Sequence, residues 1–552
     1  MGRVPNVQIP ARIRETAYDR DTPARPTLSE WVSSALTDPA VRAVVAVTGF
    51  GLLLSGAFLF LPLAGTDLSA QVARAHFTKV YGSQPIDFRW YSGAQQYGYS
   101  LFSTWIMAVV GTRGVGALSA VVSSWALGLL LVRTRVRRPL LGGMIGVVCF
   151  VSNLVSGRMT FALGVMFGLL GLVCLTLNGH PRARLVGAGV GAFLASAASP
   201  VAGLFSGLVG TALLLTGRRR EGLVTGVAAA LPIGVLSIVF GEGGWMNFNQ
   251  LDMIKSVGLS IAAALLVPAR YRAVRTGAVL SAAGIVLSYL VHTPVGSNST
   301  RLAIMFAIPL IAATMRVDSV RHGAALLVVL TAWQPPLIIG DLLDAGGPAA
   351  HRPYYAPLLT ELARREPLGR VEVPPTRDYW ESVYVADTVP IARGWMRQVD
   401  IERNPLFFDG TLDAVSYQKW LYDNGVEYVA LPDTKLSWVG RGEAELIRTG
   451  LPYLRPVWRS QHWTLYEVLG ARTVVEQPGR LVDSTATGIT LQVSQPGRVL
   501  VRVRFTHWLT VEGPAACIEP AGRWSRLVAS QPGIYHIGSR LQPTQPSRCT
   551  GS

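Results

Sequence analysis

The sequence predicts a polytopic α-helical membrane protein of about 11 spans with a C-terminal part of soluble type. Half of its 552 residues are apolar, and only 15% are charged. The apolar residues form runs of roughly 15 to 24, which is close to the length that a membrane span requires. These runs stop near residue 340, where charges rise and shorter periodic patterns begin. The chain therefore divides into a membrane part and a C-terminal part.

The arginines predict how the spans are oriented, because short basic loops stay on the cytoplasmic side of a membrane. The polar N-terminal tail, residues 1–41, carries Arg12, Arg14, Arg20 and Arg25 and lacks the apolar core of a signal peptide. Further basic groups follow alternate spans, at 133–138, 182–184, 218–220, 270–275 and 316–321. We therefore expect a multi-pass plasma-membrane protein with a cytoplasmic N-terminus and an extracytoplasmic C-terminal part.

The membrane part is expected to cover residues 42–339. Its first span is residues 42–65, and the first outer loop, residues 66–100, follows. The chain then returns through an amphipathic segment and a second span that ends at residue 132. Further spans are expected at about 139–154, 158–177, 184–198, 200–217, 222–240, 252–268, 274–292, 301–315 and 320–339. The two short segments that meet at 198–200 could instead form one re-entrant hairpin.

The C-terminal part is expected to contain two regions. Residues 340–471 have the pattern of an α/β region, with amphipathic helices at 354–364 and 413–424 and a buried strand at 426–431. Residues 472–552 contain short alternating segments separated by QPG and DSTATG, which is typical of an antiparallel β-sandwich. Cys517 and Cys549 lie in this second region, and an extracytoplasmic location permits a disulfide between them.

The first outer loop carries more chemically useful side chains than any other segment of the membrane part. It combines carboxylates, cations, a histidine and aromatic rings: Asp67, Arg74, His76, Lys79, Tyr81, Asp87, Arg89, Trp90, Tyr91, Tyr97 and Tyr99. At a membrane surface, such groups can hold a sugar beside a lipid phosphate and deprotonate a hydroxyl. A belt of interfacial aromatic residues with charged neighbours would place the same residue types at this depth.

Other polar residues are expected on the same outer face. Asn153 and Arg158 flank a tight turn, Asp252 ends the segment GEGGWMNFNQLD, and Asn298 and Arg301 lie in HTPVGSNSTRL. Several polar loops that meet on one face are typical of a membrane-embedded active site, although any single polar residue could simply keep its turn hydrated. The net charge of +17 does not indicate nucleic-acid binding, because the cations are spread over many short loops.

This arrangement resembles the GT-C glycosyltransferases, which use polyprenyl-phosphate sugars and include the actinobacterial arabinofuranosyltransferases. The shared features are the first span, a long first outer loop that begins with an acidic residue, an amphipathic segment, about 11 spans and a C-terminal outer domain. The segments NLVSGRMTFALG, ASPVAGLF and TPVGSNSTRLA look like those of actinobacterial proteins of this kind. Only Asp67 corresponds to a motif position of the family. Thr66 and Leu68 flank it, so the paired acidic pattern of the family is absent.

The resemblance implies an inverting transfer of a sugar, such as arabinofuranose or mannose, from a polyprenyl-phosphate donor to a cell-envelope glycan or lipid. Asp67 would be the general base. Arg301, Arg158 and His76 are expected at the donor phosphate, since guanidinium groups bind phosphate in a bidentate manner. The residues expected to line the sugar and acceptor site are Asp87, Trp90, Tyr91, Tyr97 and Asn298. No metal ligands are assigned, because the paired acidic pattern is absent, although the family resemblance leaves a divalent cation possible as a cofactor. The β-sandwich would be of a carbohydrate-binding type.

Two other functions fit the same composition. A non-catalytic envelope-assembly protein would use its outer domain to bind a glycan and its spans as an anchor, but about 11 spans exceed what an anchor needs. A transporter of lipid-linked glycans would be expected to show internal repeats and charged residues near the middle of its spans. The sequence has no clear repeat, and its expected spans lack such charges.

Overall fold

The computed structural model describes residues 37–241, 243–316, 319–335, 338–365, 369–541 and Cys549. Nearly all of the N-terminal tail expected at residues 1–41 lies outside these residues. The description begins just before the first long helix, α1, which spans Pro39–Phe60. Asp38 caps this helix by accepting a hydrogen bond from the Ala40 amide at 2.8 Å, and Pro39 occupies its first turn, where no N–H donor is required.

The membrane part consists of helices close to the expected spans. After α1 come α2 (Leu68–Tyr81) and α3 (Ser103–Val110), which lie within or next to the loop expected on the outer side. The remaining helices are α4 (Thr112–Arg133), α5 (Pro139–Val155), α6 (Met159–Cys174), α7 (Pro181–Ala198), α8 (Pro200–Leu215), α9 (Arg219–Val239), α10 (Gln250–Leu266), α11 (Arg272–Leu290), α12 (Arg301–Thr314) and α13 (Val320–Trp333). Prolines in the first turns of α5, α7 and α8 mark where those helices begin.

Four of the described helices are long and apolar enough, by length and composition, to cross a membrane. These are α1, α4, α9 and α11, and the shorter helices α5, α6, α8 and α13 are also apolar. Small residues bring the helices together. A side chain at Gly210 would collide with the backbone of Gly226, and one at Gly191 would collide with Gly171. The chain is therefore a helical membrane protein with several apolar helices.

The first region of the C-terminal part packs helices against a small mixed sheet. Helices α14 to α19 cover Ile339–Leu343, Arg352–Ala363, Glu381–Tyr384, Arg397–Arg403, Ala414–Asn424 and Trp438–Arg448. The sheet has the order β3 (Val371–Glu372), β4 (Tyr428–Pro432), β6 (Trp463–Val468) and β5 (Leu454–Arg459). Strands β3 and β4 are parallel, and the other pairs are antiparallel. Asp413 and Ser416 form a capping box that starts α18.

The last region consists of two antiparallel sheets, as the alternating sequence pattern predicts. One sheet has the order β10 (Leu509–Glu512), β13 (Gly533–Ser539), β8 (Gly488–Val493) and β7 (Gly479–Thr485). The other has the order β11 (Ala516–Ala521), β12 (Trp524–Ala529) and β9 (Gly497–Arg504). Alternate residues such as Leu491, Val501 and Tyr535 are fully buried between them. Cys517 and Cys549 form a disulfide, with their Cα atoms 5.0 Å apart.

The first outer loop lies beneath both regions of the C-terminal part. Its short strands β1 (Ile86–Asp87) and β2 (Ala94–Gln95) pair with each other. The Trp90 indole donates a hydrogen bond to the Ser382 carbonyl at 3.0 Å, and the Phe88 amide donates to the Ala486 carbonyl at 3.0 Å. Trp508 of the sandwich stacks on Phe240 at the end of α9, with ring centroids 5.5 Å apart. These contacts join the C-terminal part to the end of the helices that carries the first loop.

Candidate active site

Asp67 lies in a turn that is held against a second turn by two glycines. Gly65 and Gly157 have φ values of +90° and +82°, which L-residues with side chains rarely adopt. A Cβ atom at Gly65 would collide with the backbone of Val155 and Ser156, and a Cβ atom at Gly157 would lie 2.9 Å from the Leu68 Cα. The turn between α1 and α2 therefore meets the turn between α5 and α6 backbone to backbone, which brings Asp67 next to Arg158.

Two arginines from distant parts of the sequence contact the Asp67 carboxylate. The Arg158 Nε atom lies 3.2 Å from Asp67 Oδ2, and the Arg301 Nη2 atom lies 3.7 Å from the same oxygen. The Asp67 side chain keeps 30% of its surface exposed, so it is neither isolated from water nor freely solvated. Two cations share one carboxylate, and this leaves net positive charge that a bound anion can neutralise.

Gln71, one helical turn after Asp67, ties the two turns together. Its side-chain oxygen accepts hydrogen bonds from the Thr160 amide at 2.7 Å and the Thr160 hydroxyl at 2.9 Å. Its side-chain nitrogen donates to the carbonyls of Gly157 and Asp67. Three of these four hydrogen bonds fix α2 against the start of α6, and the fourth, to the Asp67 carbonyl, stays within the first turn of α2. The distance between Asp67 and Arg158 is set by backbone contacts and by this bridge.

Asp67, Arg158 and Arg301 line an outer cavity of about 440 Å³. Polar side chains on its wall include Arg74, Tyr99 and Asn298, and apolar ones include Phe161, Leu204 and Leu236. The C-terminal part supplies the segment 395–399 to the same wall. Among the lining residues that the structure describes, four are arginines, counting Arg397, and one is a carboxylate. The cavity therefore suits a polar ligand that carries negative charge.

Arg158 and Arg301 also line an inner cavity of about 640 Å³ that extends between α5, α12 and α13. Most of its wall is apolar and is formed by residues such as Ile145, Val148, Ile304, Ile308 and Leu327. The only charged side chains among its described lining residues are Arg158, Arg301 and Lys255. The two arginines thus form a shared boundary between a polar outer cavity and an apolar inner cavity.

Tyr99 and Gln398 are hydrogen-bonded to each other in the wall of the outer cavity. The Tyr99 hydroxyl hydrogen-bonds to the Gln398 side-chain oxygen, and the Gln398 side-chain nitrogen donates to the Pro294 carbonyl at 3.1 Å. Removal from water raises the pKa of Tyr99 to about 12, although the nearby Arg74 guanidinium opposes this shift. Tyr99 is therefore a neutral hydrogen-bonding group at neutral pH and not a base.

An acidic cluster on the C-terminal part surrounds Arg377 and packs against α2. Arg377 contacts Asp341 at 3.3 Å, Asp344 at 2.9 Å and Asp378 at 3.2 Å. Burial raises the pKa of Asp378 to about 6, while the Arg377 guanidinium opposes the shift. The Ser69 hydroxyl of α2 donates to the Asp378 carbonyl at 2.7 Å. The Ser69 contact fixes the C-terminal part to α2, the helix that begins directly after Asp67, and Asp341 is close enough to interact with Ser156 and Arg158 in the second turn.

The structure brings four of the expected site residues together at the outer cavity: Asp67, Arg158, Asn298 and Arg301. It places the others elsewhere. His76 lies 3.4 Å from Asp387, on the side of α2 that faces the C-terminal part. Tyr97 packs its ring against Phe240, with centroids 5.2 Å apart.

Asp87, Trp90 and Tyr91, expected at the sugar, do not line the cavity and are almost completely buried. Asp87 pairs with Arg89 at 2.9 Å, and the Tyr91 hydroxyl donates to the Gly394 carbonyl at 2.7 Å. The physical reason is that the C-terminal part covers the second half of the loop, so its aromatic and charged groups serve packing.

Several residues at the cavities have no motif that would single them out in the sequence. Gln71 and Arg74 lie four and seven residues after Asp67 and therefore share its helix face, which is a signal that periodicity could have provided. Arg397 and Gln398 come from more than 290 residues farther along the chain, and only the folded structure places them there. Among the described residues, no group of three or more His, Cys, Asp or Glu side chains could hold a metal ion.

Comparison with models of protein families gives no match, and comparison with curated proteins gives none either. Solved structures do match. The arabinofuranosyltransferase AftD from Mycobacteria is 13% identical with a TM-score of 0.41, and the match covers 90% of this chain. This chain spans 57% of the length of that AftD chain.

ArnT from Cupriavidus metallidurans is also similar. Its apo structure is 13% identical with a TM-score of 0.43, covering 78% of this chain and 98% of that one. Its structure bound to undecaprenyl phosphate has a TM-score of 0.40 at 13% identity, covering 81% of this chain and 99% of ArnT.

Proposed function

We propose that the chain is an inverting glycosyltransferase that moves a sugar from a polyprenyl-phosphate donor to a cell-envelope glycan or lipid on the outer face of the plasma membrane. One observation carries the proposal. A partly exposed carboxylate, Asp67, is contacted by two arginines that form the boundary between a polar cavity and an apolar cavity. The proposal places a base, a phosphate site, a lipid site and an acceptor site within one continuous arrangement.

The donor would bind across the arginine pair. Its prenyl chain would occupy the inner cavity, whose wall is mostly apolar, and its phosphate would lie between Arg158 and Arg301. Guanidinium groups bind phosphate oxygens with paired hydrogen bonds, and they stabilise the charge that grows on the phosphate as it leaves. A phosphate in this position would compete with Asp67 for the same N–H groups, which would free the carboxylate to accept a proton.

The acceptor would enter the outer cavity, where its hydroxyl would face Asp67 and the anomeric carbon of the donor sugar. The hydroxyl oxygen forms the new bond to the anomeric carbon while the bond from that carbon to the phosphate oxygen breaks. The phosphate leaves with the electron pair, and Asp67 takes the hydroxyl proton. Because this is a single displacement, the configuration at the anomeric carbon inverts. Asn298, on the cavity wall, is placed to bind a sugar hydroxyl.

The orientation of the chain is part of the same proposal. We propose 11 spans in residues 42–339, a cytoplasmic tail at 1–41, and an extracytoplasmic α/β region and carbohydrate-binding β-sandwich at 340–471 and 472–552. A cysteine at Val415, whose surface is 75% exposed, should react with a membrane-impermeant thiol reagent in intact cells. A cysteine at the exposed Arg182, on an expected inner loop, should react only after the membrane is opened. The reverse result would contradict the orientation.

The donor site can be tested with purified protein and polyprenyl-phosphate-linked arabinofuranose and mannose. Arg301→Gln should weaken donor binding by about tenfold or more, because a charge-assisted hydrogen bond is lost. Arg272→Gln is the matched control, since Arg272 is also the first residue of a helix but is exposed at the opposite end of the membrane part. Absence of transfer from any donor, combined with glycan binding by the C-terminal part, would favour the assembly-protein alternative.

A further inference from the structure

The inner cavity contains a third cation, Lys255, which the transfer reaction described above does not use. Lys255 is the only lysine between residues 80 and 418 in a chain where arginine supplies nearly all the basic groups. It lies in the second turn of α10 and lines the same cavity as Arg158 and Arg301. Within the described part of the chain, its ammonium group has no hydrogen bond or ion pair. The described lining of the cavity contains no carboxylate, and Asp67, which lines the neighbouring outer cavity, contacts the two arginines.

A lysine near the end of a membrane helix often has no role beyond extending its ammonium group to water. Two observations argue for a more specific role here. Lys255 is one of the residues that line a cavity whose wall also contains Ile304, Ile308 and Leu327, and this cavity is large enough for a ligand. The turn that carries it is fixed, because the Trp333 indole donates a hydrogen bond to the Lys255 carbonyl at 3.0 Å.

The charges of the donor lipid and of the released lipid indicate which ligand Lys255 would bind. A sugar linked to a polyprenyl phosphate is a phosphodiester with one negative charge. Asp67 and this single charge together balance Arg158 and Arg301. After transfer, the polyprenyl phosphate is a monoester, and its second ionisation has a pKa near 6, so it carries close to two negative charges at neutral pH. The product therefore has one charge more than the two arginines and Asp67 can balance.

We propose that Lys255 forms a second anion position in the inner cavity that binds the dianionic lipid phosphate monoester released by transfer. This inference rests on the proposed function and extends it to the product. Lys255 stabilises the monoester over the diester, so it favours displacement of the phosphate from the sugar and holds the spent lipid in the apolar cavity until it leaves. The ammonium group suits this task because its three donors need no fixed planar geometry.

The test compares binding of two lipids to the purified full-length protein: undecaprenyl phosphate and its methyl ester, which differ by one negative charge. Lys255→Gln should weaken binding of undecaprenyl phosphate by about tenfold at pH 7.5, as expected for loss of a charged partner, and should change binding of the methyl ester by less than about twofold. At pH 5 the monoester loses its second charge, so the difference between wild type and Lys255→Gln should largely disappear. Lys255→Arg should retain most of the affinity.

Lys79→Gln is the matched control, because Lys79 is exposed on α2 and lines neither cavity. Equal weakening of both lipids by Lys255→Gln, or no weakening of either, would overturn the inference while leaving the proposed function intact. If wild type bound neither lipid, the proposed function itself would fail. A third comparison uses vesicles that contain phosphatidic acid, another lipid phosphate monoester. If phosphatidic acid displaced undecaprenyl phosphate as well as unlabelled undecaprenyl phosphate does, the position would bind bilayer phospholipids in general. That result would overturn the role in product binding.

Discussion

The two halves of the first outer loop each contain an aspartate paired with arginine, but the two pairs differ in where their partners come from. Asp87 is fully buried and pairs with Arg89, two residues away, and it also accepts a hydrogen bond from the Gln96 side chain at 3.2 Å. Asp67 is 30% exposed, and its partners Arg158 and Arg301 come from two separate helix junctions. The Asp87–Arg89 pair lies within one loop and stabilises its shape. The two arginines that contact Asp67 line both cavities.

Under the proposed function, this difference distinguishes the structural carboxylate Asp87 from the catalytic carboxylate Asp67. Asp87 has its oxygens satisfied by neighbours in the same loop and has no contact with space that a ligand could fill. Asp67 accepts one hydrogen bond from Arg158 at 3.2 Å and has a longer ionic contact of 3.7 Å with Arg301, and a ligand anion could replace it at both arginines. The same substitution, aspartate to asparagine, is therefore expected to lower the stability of the protein at Asp87 and the rate of transfer at Asp67.

The largest effect on stability is expected from Asp87→Asn. This change leaves the Arg89 guanidinium buried without its main counter-charge, and breaking a buried pair in this way costs about 3–5 kcal/mol. Asp67→Asn removes a partly exposed carboxylate between two cations and should leave the unfolding temperature close to that of wild type. Thermal unfolding of both variants in the same detergent provides the measurement. If the two variants unfolded at the same temperature, the distinction between a structural Asp87 and a non-structural Asp67 would be wrong.

The next effect concerns the contact between the two turns. Gly157→Ala should lower the transfer rate by up to about 100-fold, because a displacement of about 1 Å between reacting groups can reduce a rate by that factor. The new Cβ atom would push against Leu68 and move Asp67 away from Arg158. Gly217→Ala is the control, since Gly217 has a similar φ of +94° but no atom within 4 Å of its Cβ position. The same loss of rate in both variants would show that backbone strain alone is responsible.

The smallest effect is expected from His76→Gln. His76 lies 3.4 Å from Asp387, and 46% of its side chain is exposed. Because it lines neither cavity, the substitution should change donor affinity and transfer rate by less than about twofold, as is usual for a surface position. A loss of more than tenfold in donor affinity would return His76 to the phosphate site that the sequence suggested and would weaken the assignment to Arg158 and Arg301.

Much of the fold could be predicted because its physical causes are local. Apolar runs and basic loops locate helices such as α5 and α9, and alternation with Gly and Pro turns locates strands such as β8 and β9. Strands β7 and β11 are harder to find, because β7 has exposed residues at most positions and β11 contains Pro520. Their place in the sheets depends on partners and not on their own pattern.

The site could be predicted only in part. Asp67, Arg158 and Arg301 stand out because charged residues at the outer ends of apolar segments are expensive and therefore informative. Trp90 and Tyr91 looked equally promising, since the sequence does not reveal that the C-terminal part covers them. The contribution of Gln398 to the cavity and the role of Gly157 in the turn contact depend on long-range packing. No local pattern in the sequence carries that information.

The central claim is that Asp67 is the catalytic base, and a single-turnover transfer assay tests it most directly. The enzyme is first saturated with the polyprenyl-phosphate sugar, and the rate after addition of acceptor is then measured for wild type, Asp67→Asn and Asp252→Asn. Asp252 is another aspartate in the membrane part near the expected outer face, but it lines neither cavity. Asp67→Asn should bind donor normally and transfer it about 10²–10⁴ times more slowly, which is the usual contribution of general acid–base catalysis. Asp252→Asn should behave like wild type. Transfer by Asp67→Asn at the wild-type rate would contradict the account.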